Sequence, residues 1–165
     1  MRNFKLICGL IFLLLLGYAA NAQKLYSKTV DTTNMYIDER TNLQEDDDCS
    51  VRALSVVMNE SYYLNIERTS EFGRESRKGM SLRGVYNLLR KYHSDKYAGM
   101  AKIHNANAYE FVNNTAEIGN SYLLVATDHI VALKYDIDTN KWYLYGNWGD
   151  TRRPYLLAIK IKENG

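Results

Sequence analysis

The sequence predicts an α+β domain in which N-terminal helices are followed by an antiparallel sheet. The class rests on three observations: helical apolar spacing after residue 48, β-forming residues concentrated after residue 121, and no linker or repeat between them. With 165 residues, 46% hydrophobic and 24% charged, the chain has globular composition and suits one domain rather than two. Ten Gly and a single Pro exclude collagen-like and Pro-rich low-complexity chains.

Residues 1–22 read as a secretory signal peptide. Arg2 and Lys5 supply the basic start, an apolar stretch runs from Leu6 to about Gly17, and Ala20-Asn21-Ala22 is a small-x-small cleavage pattern. The charge-free run from Leu6 to Ala20 falls short of the roughly 20 residues that span a bilayer, so no membrane anchor is expected to remain after cleavage. Removing 22 of the 165 residues leaves 143. Taking Arg2 and Lys5 from the 21 basic residues leaves 19 against 19 acidic ones, a formal net charge of zero. That balance, and the absence of a basic cluster with interleaved aromatics, argue against a nucleic-acid partner.

Residues 23–44 form an extended N-terminal segment in which Leu25–Val30 suits an edge strand, and the domain proper spans 45–165. Val51, Leu54, Val57 and Met58 share one face of a helix over Cys49–Glu60, and the aspartates 46–48 sit where acceptors suit a helix start. Gly73–Gly79 is a charged surface loop. Ser81 then caps a helix whose Leu82, Val85, Tyr86, Leu89 and Tyr92 point inward and which ends near His93. A shorter helix covers Asn107 to about Glu117, with Ala108, Phe111 and Val112 inward, and Gly119-Asn120 turns the chain. Tyr122–Tyr135, Trp142–Gly146 and Tyr155–Ile161 read as strands, with a turn over Asp136–Lys141.

Cys8 leaves with the signal, so the mature chain keeps Cys49 alone, and an exported protein with one cysteine has no internal disulfide. A buried inert thiol, an intermolecular disulfide and a nucleophile are the competing roles. The third is favoured by position, because the amides of a helix N-terminus stabilise a thiolate and can bind an oxyanion. Asp46, Asp47 and Asp48 oppose it unless they point away or are paired. A base is needed next, and the chain offers His93, His104 and His129. His93 closes a helix at the surface, and His104 lies in a polar stretch outside any element. His129 sits within the apolar run Leu123–Leu133, on the face of Val125, Val131 and Leu133. The returning strand then delivers Asn147, with Asp150 three residues later, and either can orient the imidazole.

The stretch Gln44-Glu45-Asp46-Asp47-Asp48-Cys49-Ser50-Val51-Arg52-Ala53-Leu54 resembles the nucleophile segment of papain-like cysteine peptidases. It is most similar to the small bacterial branch that includes bacteriocin-processing peptidases. Gly79-Met80-Ser81-Leu82 resembles that branch's Gly-x-Ser-Leu helix opening, and Asp128-His129-Ile130-Val131-Ala132-Leu133 with Asn147 resembles its histidine strand and the following Asp/Asn. The resemblance covers about residues 44–150. It implies Cys49 as nucleophile, His129 as general base and acid, Asn147 as orienter and Gln44 as oxyanion donor, with Asp150 as the alternative orienter. Three positions depart from the branch: Gln44 stands five residues before the cysteine rather than six, Ser50 replaces a Gly, and Asp128 replaces a commonly neutral residue.

The expectation is therefore an exported cysteine hydrolase acting on a peptide or isopeptide bond of a peptide or protein substrate. A catalytically inactive binding domain on the same scaffold, or a secreted toxin or effector performing deamidation or acyl transfer, are the alternatives. No Cys/His cluster has zinc spacing and no Gly-rich loop follows a strand, so neither metal nor cofactor is expected. Fourteen scattered Tyr suit a core rim rather than a glycan platform.

Overall fold

The computed structural model describes residues 30–33, 47–75, 78–146 and 148–163. In chain order these residues form β1 (Val30–Thr33), α1 (Cys49–Met58), α2 (Tyr62–Glu71), α3 (Leu82–Tyr92), β2 (Tyr97–Ala106), α4 (Ala108–Asn114), β3 (Asn120–Val125), β4 (Ile130–Asp136), β5 (Lys141–Tyr145), a 3-10 turn (Trp148–Arg152) and β6 (Tyr155–Lys162). The chain is an α+β domain.

The strands make one six-stranded sheet in the order β1-β5-β4-β3-β6-β2. It is mixed rather than purely antiparallel: β1 runs parallel to β5, with Val30 opposite Trp142, while the other pairs are antiparallel. The sheet thus takes its edge strand from the segment ahead of residue 45. Of the strand expected over 25–30, Val30 lies in β1 and the rest falls outside the described residues.

Both faces of the sheet are covered. Leu124, Val131, Leu133 and Leu144 pack with Phe111 and Val112 of α4 on one side. On the other, Leu123, Val125, Ile130, Ala132 and Ile159 pack with Leu54 and Val57 of α1 and Leu88 and Leu89 of α3. Strands buried on two faces read as continuous apolar runs, and that run conceals a turn. The stretch expected as one strand over 122–135 is a hairpin, β3 and β4, in register Val125 opposite Ile130. Its tip is Thr127-Asp128, closed by the Ala126 N–H donating to the His129 carbonyl at 2.8 Å. His129 therefore stands at the mouth of the hairpin, just before β4, and not inside a strand.

Ser81 caps α3 as expected, and Asn107, expected inside its helix, caps α4 instead. Ser81 Oγ accepts from Gly84 N–H at 3.1 Å, and Asn107 and Glu110 form a reciprocal capping box on α4. Helix α2 was not anticipated, because its inward residues include the polar Asn65 and Thr69 beside Tyr62, which leaves no apolar period. Strand β2 was missed for a related reason. It is an edge strand with few β-formers, broken by a positive φ at Gly99, His104 and Asn105. His104 thus lies on a strand, contrary to expectation.

Candidate active site

Cys49 is the first residue of α1 and is half-buried. Its apolar helix face, with Ala53, Leu54 and Val57, packs on the face of the sheet that carries Val125 and Ile130. That packing sets the thiol against the mouth of the β3–β4 hairpin, where it hydrogen-bonds the His129 side chain and the Ile130 N–H. The two residues are 80 apart in sequence, and the sheet alone joins them.

Asp150 completes the group. β5 ends at Tyr145, and the 3-10 turn folds back so that Asp150, 4% exposed, places Oδ2 3.4 Å from His129 Nε2. His129 Nε2 is itself buried and makes no well-aligned hydrogen bond, so the contact is an ion pair at the long end of the range. The Asp150 backbone carbonyl accepts from Tyr155 Oη at 2.8 Å, which ties the turn to β6. Gly146 makes the approach possible. A Cβ there would lie 2.6 Å from Asp150 Oδ2 and 3.2 Å from Val131 Cγ1.

The electrostatics follow from these contacts. Burial pushes the Cys49 thiol up, but the hydrogen bonds from His129 and Ile130 and the charges of His129 and Arg52 outweigh it and hold the thiol below its ordinary value. The Asp150 carboxylate, then Cys49, raise His129 from 6.5 to about 9 against its own desolvation. These contacts favour the thiolate–imidazolium form, and the two groups titrate as a pair.

The described part of the acidic run, Asp47 and Asp48, does not oppose this. Asp48 is wholly buried and committed elsewhere: Arg52 Nε donates to Oδ1 at 3.1 Å and Tyr62 Oη to Oδ2 at 2.8 Å. It occupies the N-cap position without the side-chain cap that the sequence suggested. Asp47 is exposed, and Asp46 lies outside the described residues. Asp128, the neighbour of His129, is ion-paired to Arg153 at 2.8 Å.

A cleft of about 320 Å³ opens over Cys49 between residues 79–82, Val85 of α3 and the hairpin mouth at 125–130. Its walls mix aliphatic side chains such as Met80, Leu82 and Val85 with the polar Ser81, Thr127 and Asp128. Of the residues singled out from the sequence, Cys49, His129 and Asp150 are brought together; Gln44 and Asn147 lie outside the described residues. His93, expected at the surface, is buried at the end of α3, with Nε2 3.2 Å from Arg68 and 3.5 Å from Glu60. Sequence reasoning did not find Gly146, Arg52, Arg153 or the Ile130 amide. Only Gly146 carried a signal, as a glycine at a strand end. Among the described residues no group of three or more His, Cys, Asp or Glu is placed to hold a metal ion, and no helix is long and apolar enough to cross a membrane.

No protein-family model, curated protein or solved structure matches this chain.

Proposed function

We propose that this chain is an exported, papain-like cysteine hydrolase that cleaves a peptide or isopeptide bond through a thioester. One observation carries the reading: a half-buried thiol at a helix start, hydrogen-bonded to a histidine that is itself backed by a buried carboxylate. The Cys49 thiolate attacks the substrate carbonyl carbon, forming a C–S bond. The oxyanion is stabilised by the Cys49 N–H, one of the first-turn amides that have no acceptor within the helix. Gln44 is the second donor that the resemblance implies.

Collapse of the tetrahedral intermediate breaks the C–N bond, and the His129 imidazolium passes its proton to the leaving amine. Neutral His129 then takes a proton from water, which attacks the thioester; the acid departs and the thiolate–imidazolium pair is restored. With Nε2 facing Asp150, the travelling proton is carried at Nδ1. The same steps perform acyl transfer if an amine replaces water, and deamidation if the leaving group is ammonia.

The test uses the signal-free protein, alkylated with iodoacetamide and read by intact mass, together with a peptide mixture scored for new termini. Alkylation of Cys49 should already be at plateau near pH 6 and lose that plateau in His129→Ala. New termini should appear with wild type and vanish with Cys49→Ala. Cleavage that survives Cys49→Ala ends the proposal.

A further inference from the structure

The geometry points to Arg153 as a positioning residue for the Cys49–His129 pair, clamping the carboxylate behind the imidazole to the carboxylate that precedes it in sequence. The inference rests on the reading of Cys49 and His129 as a working pair. Arg153 Nε lies 3.4 Å from Asp150 Oδ1, and Nη1 lies 2.8 Å from Asp128 Oδ1. One guanidinium therefore spans two anions on either side of His129. On the inner side it takes Oδ1 of Asp150 and leaves Oδ2 to His129. On the outer side it binds the tip of the hairpin whose next residue is His129. The planar fork of arginine suits this bridging, and an ammonium, as a point charge, does not.

Among the described residues, the charged and titratable groups recorded against His129 and the thiol include Cys49 and Arg52 from α1, Asp128 in the hairpin, and Asp150 and Arg153 after β5. The wall formed by residues 79–82 and Val85 adds no charge to the cleft. Asp128 has a side chain 77% exposed, so an isolated surface pair with Arg153 would be worth little. The fork's second contact, to the buried Asp150, turns that surface pair into a brace on the site.

The experiment is the pH profile of Cys49 alkylation by iodoacetamide in the signal-free protein, for wild type, Arg153→Gln, Arg153→Lys and Asp128→Asn, with a thermal melt of each. Arg153→Gln should move the midpoint of the alkylation profile up by about one unit, a tenfold loss of rate at any pH well below that midpoint. Arg153→Lys, which keeps the charge but cannot span both carboxylates, should recover less than half of that loss. Asp128→Asn should lower the rate in the same direction, and combined with Arg153→Gln it should add nothing further.

A purely structural pair would shift the melt and leave the profile alone. An Arg153→Gln profile within twofold of wild type, while His129→Ala abolishes the plateau, overturns the assignment and leaves the pair standing. Full recovery in Arg153→Lys also overturns it, because charge alone then suffices. A wild-type rate that climbs only near the free-thiol pKa of about 8.5 removes the pair itself, and the assignment with it. If Arg153→Gln does not fold, the exposed Asp128→Asn substitution decides by the same criterion.

Discussion

His129 Nε2 and Asp150 Oδ2 stand 3.4 Å apart, and the oxygen is there because residue 146 has no side chain: a Cβ on Gly146 would come within 2.6 Å of it. The orientation of the imidazole thus depends on a glycine that touches neither ring nor thiol. Gly146→Ala is expected to displace the carboxylate, destabilise the fold by about 1–3 kcal/mol through overpacking, and raise the pH at which Cys49 becomes alkylable. A chemical-denaturation curve and an iodoacetamide profile check both effects.

Asp150→Asn keeps the shape and removes the charge. The Asp150 carboxylate beside Nε2 does most to raise the His129 pKa, so the histidine should titrate well below about 9 in this variant. Turnover should fall on the order of 10²-fold, the penalty for a mispositioned catalytic group. Histidine NMR titration reads the first effect and peptide cleavage the second.

Asp48 is a buried carboxylate whose partners include Arg52 and Tyr62. Arg52→Met removes the charged partner and should cost up to about 3–5 kcal/mol, whereas Tyr62→Phe removes one neutral donor and should cost about 1–3 kcal/mol. Arg52→Met should also raise the Cys49 pKa, since the Arg52 charge helps to hold it down. Urea unfolding separates the two variants, and equal costs would contradict the account of Asp48.

The half-buried His129 and the buried His93 set opposite pH limits. His129 is raised from 6.5 to about 9. Its contribution to stability is complete below about 6.5 and is lost as the pH rises through 9, about 3 kcal/mol at most. His93 is lowered, chiefly by burial, so its contribution is present above its unfolded value and is lost as the pH falls through the folded one. Melting temperature against pH should show both limbs. His129→Gln should flatten the alkaline limb and His93→Gln the acid limb; a variant that flattens the wrong limb refutes the sign.

The sequence by itself determined the elements whose local chemistry agrees with their packing. Cys49 opens a helix because Val51, Leu54 and Val57 recur at helical spacing, and Ser81 caps a helix because its oxygen accepts a first-turn amide. The α+β class and the pairing of Cys49 with His129 were legible in the same way, from residue type and order. Tertiary structure decided what depends on groups that local patterns do not connect. The Thr127-Asp128 tip was hidden in an apolar run because both sheet faces are buried, and α2 because it presents Asn65 and Thr69 inward. The neutralisation of Asp48 by Arg52 and Tyr62, the seat of Asp150 beneath Gly146, and the reach of Arg153 from one carboxylate to the other exist only once the chain has closed on itself. Charge at this site is a matter of distance through space, and a sequence records only distance along the chain.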